Sequence, residues 1–221
     1  MINNPNYLVK LLSRISLSSG GITIEESTSP QTLSFFLSKG ITLKENLIEN
    51  TSSNKISLGL AAVECGADVL EVCKLLNWRD FEIFSSKILK FHDYGVYVNY
   101  RIKNPTRQID ILGVRSKTAM IVDCKHWKYT SFSALQGIVK KQKERSILLC
   151  DKKLPSGIKR MYPIIVTFLP CEFQYIDDIP IVPIQNFNSF LLDFDDYNLG
   201  FFYAQPDSSS SSRNSHHHSL S

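Results

Sequence analysis

Two short apolar segments in the middle of this chain carry charged side chains where a β-strand would continue its hydrophobic pattern. The first segment, residues 107–113, contains Asp110, and the second, residues 120–125, contains Asp123 and Lys125. Charge beside a hydrophobic core is costly unless the charged groups are paired or hold a metal ion. The fold must therefore offset this cost, and a divalent-metal site is the simplest candidate.

The spacing of the charged residues predicts how they meet. Side chains alternate between the two faces of a strand, so Asp123 and Lys125 share one face. The polar residues 114–119 between the segments suit a hairpin that places Asp110 next to Asp123. Two facing carboxylates repel, and a hard cation between them removes the repulsion. We therefore expect a Mg²⁺ site in which carboxylates, water and the Cys124 carbonyl are the oxygen ligands.

Two other interpretations of the charged residues compete with a Mg²⁺ site. A zinc site would use Cys and His at metal-ligand spacing, and the chain contains no CxxC or HxxxH pattern. A cross-strand salt bridge on an exposed hairpin remains open, and such pairs are worth only about 0–1 kcal/mol. The apolar neighbours of the charged residues argue that at least one face of the hairpin is buried, which favours the metal site.

The charged residues also resemble a pattern known from nucleases. Asp110, followed by Asp123-x-Lys125, resembles the D…(D/E)xK signature of the restriction-endonuclease-like (PD-(D/E)xK) superfamily. The sequence around Glu82 resembles the start of the first core helix of that superfamily, which often contributes a Glu. The resemblance is closest to Mrr-like restriction endonucleases and archaeal Holliday-junction resolvases, and it covers residues 77–194.

This resemblance implies a fold, an activity and a set of functional residues. The implied fold is α/β, with a mixed central β-sheet flanked by helices. The implied activity is Mg²⁺-dependent hydrolysis of DNA phosphodiester bonds, of restriction, repair or junction-resolving type, with Mn²⁺ able to substitute. The candidate catalytic residues are Asp110, Asp123, Lys125, Glu82 and Gln142, and the candidate metal ligands are Asp110, Asp123, Cys124 and Glu82. Gln142 is included because similar helices in related nucleases carry a Gln directed toward the active site. An amide on the helix surface without a role in catalysis is an equally good interpretation of Gln142.

Basic and aromatic residues accompany the candidate site. The net charge of +4 is compatible with binding to nucleic acid but does not require it. Five cations are candidates for phosphate contacts: Arg107, Lys128, Lys140, Lys141 and Lys143. Three aromatic side chains are expected to be packing residues rather than platforms for base stacking: Trp78, Trp127 and Tyr129.

Composition shifts divide the chain into three parts and a tail. Residues 1–54 are predicted to form a small helical module, either winged-helix-like or a helical cap or dimerisation arm. Residues 55–76 form a helical connector, and residues 77–204 form the nuclease domain. Residues 205–221 are a Ser- and His-rich tail that is predicted to be disordered.

Hydrophobic periodicity predicts the element order α, β, β, β, α, β, β, α in the nuclease domain. Asp80 is expected to cap or open the first of these helices, with Phe91 among the residues near its apolar face. A last helix is predicted over residues 186–192.

Other features restrict the class of protein. The five cysteines are scattered and odd in number, which is typical of reduced thiols in an intracellular protein. No apolar run reaches membrane-spanning length and the N-terminus lacks a signal-peptide core, so we expect a cytoplasmic protein without a membrane partner. DNA and a second copy of the chain are the expected partners. The rival hypothesis is a non-catalytic DNA-binding regulator with a winged helix and a nuclease-like dimerisation domain.

Overall fold

Helices and strands alternate along the residues that the computed structural model describes, which are 4–25, 28–127, 131–150, 152, 157–197 and 200–205. The helices are α1 (Pro5–Leu17), α2 (Pro30–Ser38), α3 (Ser52–Glu64), α4 (Val69–Lys74), α5 (Trp78–Phe91), α6 (Phe132–Cys150) and α7 (Ile184–Tyr197). The strands are β1 (Gly21–Thr23), β2 (Leu47–Glu49), β3 (Gly95–Ile102), β4 (Arg107–Arg115), β5 (Thr118–Lys125), β6 (Arg160–Thr167), β7 (Tyr175–Ile176) and β8 (Ile179–Pro183).

A mixed sheet forms the centre of the molecule. Within the described residues it has six strands in the order β3-β4-β5-β6-β8-β7. β3, β4 and β5 are antiparallel neighbours, whereas β5, β6 and β8 run parallel. A parallel neighbour needs a crossover connection, and α6 supplies it between β5 and β6. The predicted α/β fold, a mixed sheet flanked by helices, is confirmed.

The alternation of side chains along β5 directs its residues into two different cores. Val122 and Cys124 belong to one hydrophobic cluster with Phe81 of α5. Ile121 belongs to another cluster with Leu149 of α6. β5 is buried along nearly its whole length, as expected for a strand covered by helices on both faces. The charged end of β5 therefore lies between two helices.

The N-terminal helices share the larger of these cores. Phe36 of α2 belongs to the same cluster as Val122 of β5. Lys55 of α3 forms an ion pair with the fully buried Asp80 of α5, with Nζ 2.5 Å from Oδ2. The predicted domain boundaries stay predictions, and so does the choice between a winged helix and a helical cap or arm.

Several predicted elements differ in detail from the structure. Asn77, rather than Asp80, caps α5, because the Asn77 side chain accepts a hydrogen bond from the Asp80 amide at 2.9 Å. Phe91 is 80% exposed, since it is the last residue of α5. The last helix is longer than predicted and extends over Ile184–Tyr197. The sequence missed β7, because a strand of two residues carries no alternation pattern.

Three further findings concern the class of protein. The five cysteines are free thiols. Among the described residues, none of the helices combines the length and the apolar character that crossing a membrane requires. The predicted Ser- and His-rich tail lies, from residue 206 onward, outside the described residues.

Candidate active site

The candidate site lies where β4 and β5 separate. The antiparallel ladder between the two strands ends at the pair of Ile111 and Val122. Continued by one position, this register would place Asp110 opposite Asp123. Instead of a backbone pair, the Cys124 N–H donates a hydrogen bond to Asp110 Oδ2 at 2.9 Å. The structure thus brings Asp110 to the segment that carries Asp123 and Lys125.

The Asp123 carboxylate is buried and paired with two cations. Only 3% of its side chain is exposed, compared with 20% of the Lys125 side chain. Lys125 Nζ lies 2.5 Å from Asp123 Oδ2, and Arg145 Nη1 lies 2.7 Å from Oδ1. A salt bridge between Asp123 and Lys125 is therefore present, but on a buried strand and not on an exposed hairpin.

Gln142 is fully buried on α6 and connects this helix to β5. Its Nε2 donates a hydrogen bond to the Ile121 carbonyl at 2.6 Å, and its Oε1 accepts one from Arg145 Nη1 at 3.1 Å. The same guanidinium nitrogen of Arg145 binds Asp123. Gln142 is therefore linked to Asp123 through the Arg145 guanidinium. The sequence analysis missed Arg145, although its position three residues after Gln142 on the same helix face was an available signal.

Glu82 reaches the site from α5, on the other face of the sheet. The pKa of its carboxyl is raised to about 7, chiefly by burial and then by the negative charge of Asp110, which outweighs the opposing effect of Lys125. Glu82 Oε2 is buried and has no hydrogen-bond partner within the described residues. Burial also raises the pKa of Asp110, and the charge of Asp123 adds to this rise. Three carboxylates thus act on one another where the strands separate.

The oxygen atoms at this position suit a hard cation. In an extended strand the N–H and C=O of one residue point toward the same neighbouring strand, so the Cys124 carbonyl points to the side on which Asp110 lies. Carboxylate and carbonyl oxygens are the ligands that Mg²⁺ prefers. Among the residues that the structure describes, however, no three His, Cys, Asp or Glu side chains form a group that could hold a metal ion. Water would have to complete the ligand set of Asp110, Asp123 and Cys124, and the Mg²⁺ site stays a prediction.

The five predicted phosphate-binding cations differ in their surroundings. Lys140 and Lys141 are exposed on α6, and Arg107 is exposed at the start of β4. Lys143 Nζ lies over the Phe202 ring, 4.4 Å from its centroid, so its side chain also takes part in packing. The fifth predicted cation, at position 128, lies outside the described residues.

Both tryptophans that are predicted to be packing residues are partly exposed, so the choice between packing and base stacking stays a prediction. Trp78 is 58% exposed and Trp127 is 38% exposed. The physical reason is position: Trp78 is the first residue of α5, and Trp127 lies two residues beyond the end of β5. Lys125 Nζ lies 5.8 Å from the centroid of the Trp127 ring, which places this ring beside the candidate site. Tyr129 lies outside the described residues.

A family model matches the segment that contains this site. Residues 78–162 match NERD, the nuclease-related domain. NERD sits in the restriction-endonuclease-like superfamily, which is the level at which the resemblance is confirmed. The finer likeness to Mrr-like enzymes and Holliday-junction resolvases gains no support. The match covers less than half of the chain, but it includes all the side chains placed at the site: Glu82, Asp110, Asp123, Lys125, Gln142 and Arg145.

Similar proteins lie at low sequence identity. An uncharacterized protein of Archaeoglobus fulgidus is 23% identical over 132 residues, which cover 59% of this chain and 97% of the relative. Protein VC1899 from Vibrio cholerae has a TM-score of 0.42 at 10% identity, covering 89% of this chain and 53% of the other. Can2 from Sulfobacillus thermosulfidooxidans, solved in complex with cyclic tetra-adenylate, has a TM-score of 0.39 at 11% identity, covering 87% and 51%. The chain spans about half the length of these two solved proteins.

Proposed function

We propose that this protein is a metal-dependent endonuclease that hydrolyses phosphodiester bonds in DNA. One observation supports this most directly. Asp110 accepts a hydrogen bond from the backbone of Cys124, between Asp123 and Lys125, and all of these residues lie in the segment that matches a nuclease-related domain. An ion pair retained only for stability would not need a second, half-buried carboxylate beside it, because such a carboxylate adds repulsion.

The residues have distinct roles in the proposed reaction. Mg²⁺ or Mn²⁺, held by Asp110, Asp123 and the Cys124 carbonyl, would polarise the scissile phosphate and lower the pKa of a bound water. The Lys125 ammonium orients the attacking water and stabilises the negative charge that develops on the phosphate. Glu82 can accept a proton from that water, because a group with a pKa of about 7 exchanges protons readily at neutral pH.

In the proposed reaction the Arg145 guanidinium has two alternative partners, Asp123 before substrate binds and a substrate phosphate afterwards. Its guanidinium occupies Asp123 Oδ1, an oxygen that a metal ion would need. In the proposed reaction this guanidinium moves from Asp123 to a phosphate oxygen of the substrate, a ligand that Arg binds as well as it binds carboxylate. The exposed cations of α6 and β4, with the predicted contact at Lys128, would bind the flanking phosphates. A homodimer remains the expected assembly.

Cleavage of supercoiled plasmid and of branched DNA tests the proposal. The wild-type protein should cleave DNA when Mg²⁺ or Mn²⁺ is present and should not cleave it in EDTA. The cleavage rates of Asp110→Asn and Lys125→Met should each be at least about 100-fold lower than that of wild type. Asp196→Asn and Lys87→Met, at exposed helix positions, are the matched controls and should cleave like wild type. Cleavage by Asp110→Asn or Lys125→Met at the wild-type rate would refute the proposed site.

A second function is favoured by one specific observation. Each oxygen of Asp123 already forms an ion pair with a cation, so the Asp123 charge is compensated without a metal ion. A DNA-binding regulator with a nuclease-like domain would have this arrangement. It would bind DNA in a salt-sensitive manner, would cleave nothing, and would bind equally well as the Asp123→Asn variant. Loss of cleavage without loss of DNA binding in the same variant would support the nuclease instead.

A further inference from the structure

A cavity of about 620 Å³ opens beside the candidate active site. Lys125 lines it, so the cavity and the site share a side chain. Its other walls come from the residues that follow β5, from the start of α6 and from the segment that follows β6: Trp127, Ser131, Phe132, Thr167, Leu169, Pro170, Cys171, Glu172 and Phe173. Its volume is in the range of about 300–1,000 Å³ that is usual for small-molecule sites.

The walls of this cavity are aromatic and open to solvent. Trp127 is 38% exposed and Phe132 is 45% exposed. The rings of Phe132 and Phe173 pack against each other with centroids 4.8 Å apart. Exposed aromatic area costs about 25 cal/mol per Å² relative to burial, so a flat apolar ligand that covers the exposed faces of Trp127 and Phe132 would be stabilised.

The polar groups of the cavity restrict the charge of such a ligand. Thr167 Oγ1 donates its hydrogen bond to the Leu169 carbonyl, and Ser131 Oγ accepts one from the Ala134 N–H at the start of α6. Among the described residues that line the cavity, Lys125 is the one cation and Glu172 the one carboxylate, and Lys125 also faces Asp123. A multiply charged anion would find too few cations here. The cavity therefore suits an uncharged planar ring that is attached to a phosphate at Lys125.

We propose that this cavity binds one unpaired nucleobase of a nucleic-acid strand whose neighbouring phosphate lies at Lys125. This inference rests on the proposed nuclease function and adds the substrate class, which is a single-stranded or locally unpaired strand. A base stacked in a duplex cannot enter a pocket lined by aromatic rings unless it leaves the stack. Stacking on aromatic side chains is tolerant of sequence, since every base has a π-face.

Tryptophan fluorescence tests this proposal directly. The chain has two tryptophans, so a Trp78→Phe variant reports on Trp127 alone. In EDTA, a single-stranded oligonucleotide should quench this fluorescence, and a strand of equal length and charge whose bases are replaced by abasic sites should quench it much less. Equal quenching by both strands would overturn the proposal. RNA and DNA strands are compared in separate arms, which identifies the sugar that the site accepts.

Affinity measurements on variants give a second readout. Trp127→Ala and Phe132→Ala should each weaken binding of the base-containing strand by about 5- to 150-fold, corresponding to about 1–3 kcal/mol for one stacked base. Binding of the abasic strand should not change, and Trp127→Phe should retain most of the affinity. Phe91→Ala, which removes an exposed aromatic ring at the far end of α5, is the matched control.

These outcomes separate this inference from the proposed function. Cleavage with Mg²⁺, together with unchanged strand affinity in Trp127→Ala and Phe132→Ala, would overturn the base pocket and leave the nuclease intact. Base-dependent quenching in EDTA without cleavage under any metal condition would leave the pocket and refute the nuclease. Tighter binding of wild type to duplex than to the single strand of the same sequence would also contradict the pocket.

Discussion

Substitution of Glu82 by Gln should make the protein more stable, and most strongly at neutral to alkaline pH. The pKa of Glu82 is raised from 4.5 to about 7, first by burial and then by the charge of Asp110. A carboxyl with a raised pKa holds its proton more tightly in the folded than in the unfolded protein. Below pH 4.5 it is protonated in both states and has no effect on stability. As the pH rises toward 7 the unfolded chain ionises first and stability falls, and above pH 7 the full cost is present.

The size of this effect follows from the same values. A rise from 4.5 to about 7 corresponds to at most about 3.5 kcal/mol, at about 1.4 kcal/mol for each pKa unit. Solvent and the cations of the site screen the charge, so we expect about 1–2 kcal/mol of unfolding free energy. Gln has nearly the shape of the protonated carboxyl and never ionises. The unfolding free energy of Glu82→Gln should therefore exceed that of wild type by this amount at pH 8 and by only about 0.6–0.8 kcal/mol at pH 5.

Urea unfolding in EDTA, followed by circular dichroism at several pH values from 5 to 8, measures this difference. Glu71→Gln, at an exposed position on α4, is the control for the change of side chain itself and should alter stability by less than about 0.5 kcal/mol. The electrostatic reasoning would be refuted if the difference in unfolding free energy between Glu82→Gln and wild type stayed constant from pH 5 to 8. So would a variant that becomes less stable than wild type as the pH rises.

Two further predictions concern the contacts that hold the helices to the sheet. Lys55→Met should destabilise the fold by about 3–5 kcal/mol in urea unfolding, because it leaves the buried Asp80 carboxylate without its cation. A double variant that adds Asp80→Leu should recover most of the lost stability. A loss below about 1 kcal/mol in the single variant would contradict the argument. Gln142→Met should lower the cleavage rate about tenfold or more with little change in KM, because Arg145 loses the Oε1 acceptor that positions its guanidinium for the substrate phosphate. An unchanged cleavage rate would show that Gln142 serves packing alone.

The sequence predicted the part of the site that depends on local geometry. Asp123 and Lys125 share a strand face because side chains alternate, and a short polar turn fixes the register that brings Asp110 to them. The segment that these local rules selected lies within the match to a nuclease-related domain.

The features of the site that the sequence did not predict depend on how elements far apart in the chain pack against each other. The rotation of α6 about its axis decides whether Arg145 or a neighbouring lysine reaches Asp123, and this rotation is set by packing against β5 and β6. The exposure of Trp127 depends on the path of the chain after β5, for which hydrophobic periodicity gives no information. Asn77 and Asp80 are both good caps, and only the start of the helix distinguishes them.

Stability alone does not account for the charges at the end of β5. Two cations and three carboxylates meet where the strands separate, so the cluster keeps a negative excess whenever Glu82 is ionised. Well-packed apolar residues would fill the same space at lower cost, because buried ion pairs seldom repay their desolvation. The cluster is better explained by a ligand that uses both signs of charge, with a hard cation on the carboxylates and a phosphate on Lys125 and Arg145. Since the exposed rings of the adjoining cavity lie on the Lys125 side, a nucleic-acid strand can bind to both regions at once.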